Sequence, residues 1–113
     1  MNIAWSDMKD DRELRGLFVK HSQLKDPGSV QFRNVRAGTC QAANNNNVTV
    51  KSWCGEVNAK NSYGAYTGFR TFNVFYTDDD HKAFVSIEPV KREDMDIYRM
   101  LAEPVCKGSG IRF

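Results

Sequence analysis

The chain is poor in the residue patterns that carry most enzyme chemistry. Among its 113 residues are only three cysteines and two histidines. No two cysteines form a C-x-x-C pair, which removes the usual zinc-ribbon and thiol-redox signatures. The sequence also has no clear nucleophile with a neighbouring base and no evident pair of catalytic carboxylates. We therefore expect a protein that is not an enzyme, with no cofactor and no metal.

The three cysteines are an odd set, at Cys40, Cys54 and Cys106. At most one internal disulfide can form, and one thiol must remain outside it. The spacing does not choose between the pairings, and three reduced thiols fit the sequence as well.

Long apolar runs are missing too. No segment approaches the roughly 18 apolar residues of a membrane helix, and residues 1–11 lack the basic and apolar regions of a secretory signal. We expect no membrane span and, for the chain as it stands, a cytoplasmic location. A chain shortened at its N-terminus would look the same, which leaves a periplasmic or envelope location open.

Neither sign of charge is in large excess, since the formal net charge is only +2. This is far from the strongly basic footprint of a duplex DNA binder. The basic excess lies in residues 16–77, which carry seven basic and two acidic side chains. Hydrophobic residues make up 41% and aromatic residues 12% of the chain, enough for a packed core.

Apolar spacing predicts helices at both ends of the chain. The first covers residues 10–24, where Leu14, Leu17 and Phe18 share one face, with His21 on the same side. The second covers residues 92–103 and ends at Pro104, with Ile97 and Leu101 four apart and Met95 and Tyr98 three apart. Extended segments lie between them, at 30–36, 48–57, 65–77 and 83–87.

Residues 38–47 include four consecutive asparagines and predict a loop. The order of elements predicts one α+β domain over residues 1–113. It would have an N-terminal helix, a small antiparallel sheet of three to four strands in a meander, and a C-terminal helix. We expect the helices to pack on one face of that sheet.

Two separated motifs resemble a small domain found in bacterial and phage hypothetical proteins. Residues 24–35 read LKDPGSVQFRNV, and residues 54–69 read CGEVNAKNSYGAYTGF. Members of that family often follow a signal or lipoprotein sequence, so the resemblance implies an envelope or phage context. It spans about residues 10–76 and implies no mechanism.

The second motif has a structural and a functional interpretation. Its glycines allow tight turns, and Asn58 and Asn61 can satisfy turn backbone groups with their side-chain amides. The functional interpretation is that an aromatic and basic hairpin at residues 58–70 binds a partner. The candidate partner-binding residues are Lys51, Asn58, Lys60, Asn61, Tyr63, Tyr66 and Arg70.

Two functions remain from the sequence. The first is a protein-interaction module of bacterial or phage origin that binds a host or envelope protein; one form of it is a phage inhibitor of a host complex. The alternative is a nucleic-acid or oligosaccharide binder that stacks bases or sugars on Tyr63, Tyr66 or Phe69. The sequence leaves the partner's identity and the oligomeric state open.

Overall fold

The computed structural model describes residues 3–42, 45–78 and 81–113. It contains two α-helices, α1 (Arg12–His21) and α2 (Met95–Val105), in that part of the chain. Short 3-10 turns lie at Pro27–Ser29 and Arg92–Asp94. The strands described are β1 (Ala4–Asp7), β2 (Gln31–Ala42), β3 (Asn45–Asn58), β4 (Arg70–Thr77) and β5 (Lys82–Ile87).

The strands form one antiparallel sheet in the order β1-β2-β3-β4-β5. The predicted α+β class and the meander are confirmed, because β2, β3 and β4 each pair with the next strand along the chain. The predicted count of three to four strands is too low, since the structure has a fifth strand, β1, before α1. This four-residue strand has a single large apolar residue, Trp5, so it gives almost no periodic signal of its own.

Helix α1 covers one face of the sheet. Its residues Leu14, Leu17 and Phe18 are buried. The Phe18 ring meets Phe32 of β2 and Phe72 of β4 edge-on, at centroid distances of 5.2 Å to each. Alternate strand residues complete this core, among them Val35, Trp53, Val57 and Val74.

Helix α2 covers the opposite face, so the prediction that both helices share one face is wrong. Cys54 follows Trp53 on β3 and therefore points to the other side of the sheet. A disulfide joins Cys54 to Cys106, just after α2, with 6.0 Å between the Cα atoms. The Tyr98 hydroxyl of α2 lies 3.1 Å from Thr71 Oγ1 of β4. The attachment of α2 to this face depends on one cysteine pair, so the spacing of apolar residues alone could not predict it.

The disulfide resolves the pairing that the sequence left open. Cys54 and Cys106 are both buried, and Cys40 on β2 is not part of the bridge. Directly after the disulfide, the Trp5 indole N–H donates to the carbonyl of Lys107 at 3.0 Å. The two contacts hold the segment after α2 against the sheet.

Several boundaries differ from the predicted ones. Strand β2 continues through the first half of the predicted loop at 38–47, as far as Ala42, and β3 begins at Asn45; residues 43 and 44 lie outside the described ones. Pairing with β1 and β3 on both sides supports this segment despite its weak strand propensity. In α2, Ile97 and Leu101 are exposed, while Tyr98 and Ala102 face the sheet.

Candidate interaction surface

Residues 59–69 connect β3 to β4 and form the loop that contains most of the predicted site, here called the β3–β4 loop. The predicted hairpin at 58–70 is mostly irregular, because its only bridge outside the named strands pairs Lys60 with Tyr66. The predicted strand from residue 65 therefore begins only at Arg70. Two glycines with positive φ, Gly64 at 80° and Gly68 at 108°, turn the chain away from a regular ladder.

Side-chain amide oxygens accept the backbone hydrogen bonds that a regular strand pair would otherwise make in this loop. Asn61 Oδ1 accepts hydrogen bonds from the backbone N–H groups of Tyr63 at 2.9 Å and Ala65 at 3.1 Å. Asn58 Oδ1 accepts one from Gly68 N–H at 3.0 Å. The loop backbone is thus fixed by residues of the motif itself, as the structural interpretation of these asparagines predicts.

The two sequence motifs meet at Ser29. Its hydroxyl oxygen accepts from Lys60 N–H at 2.9 Å, and its carbonyl accepts from the Tyr66 hydroxyl at 2.9 Å. The loop is therefore held by Ser29 from another part of the chain as well as by its own asparagines. Sequence reasoning did not include Ser29 in the site, since no local pattern brings residue 29 next to residues 60 and 66.

A second set of contacts joins the motifs beside the loop. Arg33 of β2 pairs with Glu56 of β3 at 2.8 Å, and Asn34 Nδ2 donates to the same carboxylate at 2.9 Å. Hydrogen bonds from Arg33 and then from Asn34 lower the pKa of Glu56. The Arg33 guanidinium also lies 3.9 Å from the centre of the Phe69 ring.

The aromatic residues of the loop differ in how much of the ring is open. Tyr63 is 93% exposed at the tip, whereas Tyr66 is 42% exposed. The Lys60 ammonium lies 5.6 Å from the centre of the Tyr66 ring, and Arg33 covers Phe69. Of these three aromatic side chains, Tyr63 is the most exposed, and the cations described lie over the other two rings.

The structure brings six of the seven predicted residues to this end of the sheet and leaves one elsewhere. Lys51 lies on β3 seven positions before Asn58, and its ammonium pairs with Glu13 of α1 at 3.1 Å. Arg70 stays with the loop, because it begins β4 and donates to the carbonyl of Glu88 at 3.1 Å. Lys51 therefore belongs to the contact between α1 and the sheet.

A cleft of about 530 Å³ lies against the loop, here called the loop cleft. Its walls come from the chain after α1, from the loop, and from the chain after β5. Three cations and one carboxylate line it, together with apolar side chains such as Leu24 and Val90; the charged residues are Lys25, Lys60, Arg70 and Glu88. Lys60 and Arg70 were predicted site residues, whereas Lys25 and Glu88 lie outside the hairpin hypothesis.

The two histidines lie apart from the loop tip. His21 ends α1 and is exposed, although its spacing predicted the apolar side of the helix. His81 has Nδ1 at 3.0 Å from the Tyr76 hydroxyl. Within residues 3–42, 45–78 and 81–113, no group of three or more His, Cys, Asp or Glu side chains is placed to hold a metal ion.

Comparison with protein-family models, with curated proteins and with solved structures found no match. Across the part of the chain that the structure describes, no helix is long and apolar enough to cross a membrane.

Proposed function

We propose that the protein is a non-enzymatic interaction module that binds a partner protein through the β3–β4 loop, with Tyr63 as the central contact. The observation that carries this proposal is the 93% exposure of Tyr63 on a loop whose backbone is fixed by Asn61 and Ser29.

A fixed loop supports binding because less conformational entropy is lost when the partner arrives. Tyrosine is enriched among the residues that dominate interface energies, since its ring buries a large area with few rotatable bonds. Lys60 and Asn61 closely precede Tyr63 in the chain and can supply polar contacts beside it. The predicted residues thus take distinct roles, with Asn58 and Asn61 shaping the loop and Tyr63 making the contact.

The nucleic-acid or oligosaccharide alternative receives less support. Stacking of successive bases needs several open aromatic faces along one groove. Tyr66 lies beneath the Lys60 ammonium and Phe69 beneath the Arg33 guanidinium, so Tyr63 is left as a single platform. One exposed ring suits a protein contact better than a run of bases.

The buried Cys54–Cys106 disulfide favours an oxidising compartment for this function. Structural disulfides persist in the bacterial periplasm and are rare in the cytosol. Of the two locations left open by the sequence, we therefore favour the envelope. An envelope partner also agrees with the context that the motif resemblance implies.

The test is capture of a partner by the immobilised protein from bacterial envelope extract and from whole lysate, each with and without nuclease. We expect one specific protein to be retained after nuclease treatment and lost with Tyr63→Ser. The matched control is Leu101→Ser, which removes a 65% exposed apolar side chain from α2. Equal capture by wild type and Tyr63→Ser, or loss with Leu101→Ser alone, would contradict the proposal.

A further inference from the structure

Strand β5 forms an edge of the sheet and presents backbone groups outward. Glu88 N–H donates to the carbonyl of Thr71 at 2.8 Å, which directs the Glu88 peptide group toward β4. Backbone groups along an antiparallel strand alternate in direction. The peptide groups of Val85 and Ile87 therefore point away from β4. Among the described residues, none donates to or accepts from them on that side.

A second cleft, of about 360 Å³, lies along this edge and is here called the edge cleft. Val85, Ser86 and Ile87 form one of its sides. It shares Leu24 and Arg70 with the loop cleft, so the two clefts are neighbours. Together they border β5 from its middle to the β3–β4 loop.

The charge around these clefts is mainly positive. Lys25, Lys60 and Arg70 line the loop cleft against a single carboxylate, Glu88. One oxygen of that carboxylate already accepts from the Thr71 hydroxyl at 2.9 Å. Arg70 gives one N–H to the Glu88 carbonyl, and a guanidinium carries five N–H donors. The cations are therefore only partly compensated within the clefts.

We propose that the two clefts bind an extended acidic segment of the partner protein, which pairs with β5 as a sixth strand and places carboxylates beside Arg70 and Lys60. This inference rests on the proposed function, because it names the part of the partner that the same end of the molecule receives. Main-chain pairing supplies affinity in such strand addition, and side-chain pockets supply selectivity. Carboxylates suit Arg70 because a guanidinium binds them in a two-pronged geometry.

A second copy of this chain fits the edge less well. The clefts carry three cations, Lys25, Lys60 and Arg70, against the single carboxylate of Glu88. A second copy of a chain whose formal net charge is +2 would bring no excess of acidic groups to them. The charge of the clefts therefore favours an acidic segment from a different protein.

The test measures binding of a fluorescein-labelled peptide of four Glu-Val repeats by anisotropy in low salt. We expect saturable binding that weakens about fivefold with Arg70→Gln and again with Lys60→Gln. Lys51→Gln is the matched control, because Lys51 is paired with Glu13 on the other part of β3. A peptide of Lys-Val repeats, and a Glu-Val peptide with alternate backbone N-methyl groups, should not bind.

Each outcome separates this inference from the proposed function. Absence of Glu-Val binding, or equal binding by the N-methylated peptide, overturns strand addition, whereas Tyr63-dependent capture of the partner would still support the loop as an interface. If the peptide binds but partner capture is unchanged by Tyr63→Ser, the result supports strand addition at the clefts and contradicts partner binding through the β3–β4 loop. A dimer in light scattering that Val85→Asp dissociates would assign the edge to a second copy and overturn the inference.

Discussion

The Tyr66 hydroxyl donates a 2.9 Å hydrogen bond to the carbonyl oxygen of Ser29, across 37 positions of sequence. This bond ties the β3–β4 loop to the 3-10 turn Pro27–Ser29. Its two residues belong to the two motifs of the sequence, and Lys60 adds a backbone bond to the same serine. The conformation of the proposed interface thus depends on a turn on another part of the chain.

Tyr66→Phe should loosen the loop while leaving the sheet intact. Loss of one hydrogen bond to a backbone carbonyl typically costs about 0.5–1.5 kcal/mol of unfolding free energy. We expect a loss in that range by urea denaturation, with faster amide exchange at Asn61 and Ala65. Tyr63→Phe is the control, since Tyr63 is 93% exposed and should change neither quantity. Identical exchange in both variants would contradict a bracing role for Tyr66.

Reduction of the Cys54–Cys106 disulfide should release α2 from the sheet. The bridge closes a separation of 52 residues, and removing a native disulfide from a small domain typically costs about 2–5 kcal/mol. The Cys54→Ala/Cys106→Ala variant should show that loss in chemical denaturation, with weaker helical circular dichroism. Cys40→Ser is the control, because it keeps the bridge and should lose stability in reductant as the wild type does. If the double variant is as stable as wild type, α2 is held by other contacts.

Gly55→Ala should destabilise the protein more than any exposed glycine substitution. A Cβ at residue 55 would lie 2.8 Å from the Cα of Val35 and 3.1 Å from the carbonyl oxygen of Asn34. Overpacking of this kind typically costs about 1–3 kcal/mol, because backbone must move to relieve it.

Gly16→Ala provides the opposite case for the same substitution. Residue 16 lies within α1, and an added Cβ would meet nothing within 4 Å. Alanine in a helix interior is favoured over glycine by about 1 kcal/mol, so we expect a stabilised protein by thermal denaturation. A destabilised Gly16→Ala or a neutral Gly55→Ala would contradict the packing described for these positions.

Glu56 should make stability depend on acid pH. Its pKa is lowered in the folded protein by Arg33 and Asn34, relative to about 4.3 in an unfolded chain. The unfolded state therefore binds a proton first, and the stability that the ionised carboxylate contributes is present above that value. It is lost as the pH falls through the lower, folded pKa.

Glu56→Gln should remove this dependence and cost on the order of 1 kcal/mol at neutral pH, since Arg33 is half exposed. Denaturation curves between neutral pH and pH 3 provide the measurement. The control is Glu103→Gln, which changes an exposed carboxylate on α2. A steeper acid loss in Glu56→Gln than in wild type would reverse the sign that we assign.

Local pattern predicted the two helices, the antiparallel meander and the loop-shaping asparagines. Apolar spacing located α1 through Leu14, Leu17 and Phe18, all of which are buried. In α2 the same kind of spacing marked both Tyr98, which is buried, and Ile97 and Leu101, which are exposed, so it did not decide which face the helix buries. The side of the sheet that a helix covers depends on contacts across the chain.

The candidate site shows the same division between local and distant contacts. Tyr63, Lys60 and Asn61 were recognisable from composition, because they share one short motif. Ser29, Arg33 and Glu88 were not, since each reaches the loop or its cleft from another element. Lys51 was included for its charge, but its position on β3 directs it to Glu13.

The placement of a helix on each face also separates the two tryptophans of the chain. Trp53 is buried in the core beneath α1, whereas Trp5 bonds to Lys107 in the layer that follows α2. Each indole is therefore an intrinsic optical reporter of a different layer. Trp5→Phe and Trp53→Phe variants would let fluorescence follow the opening of one layer while the other stays closed.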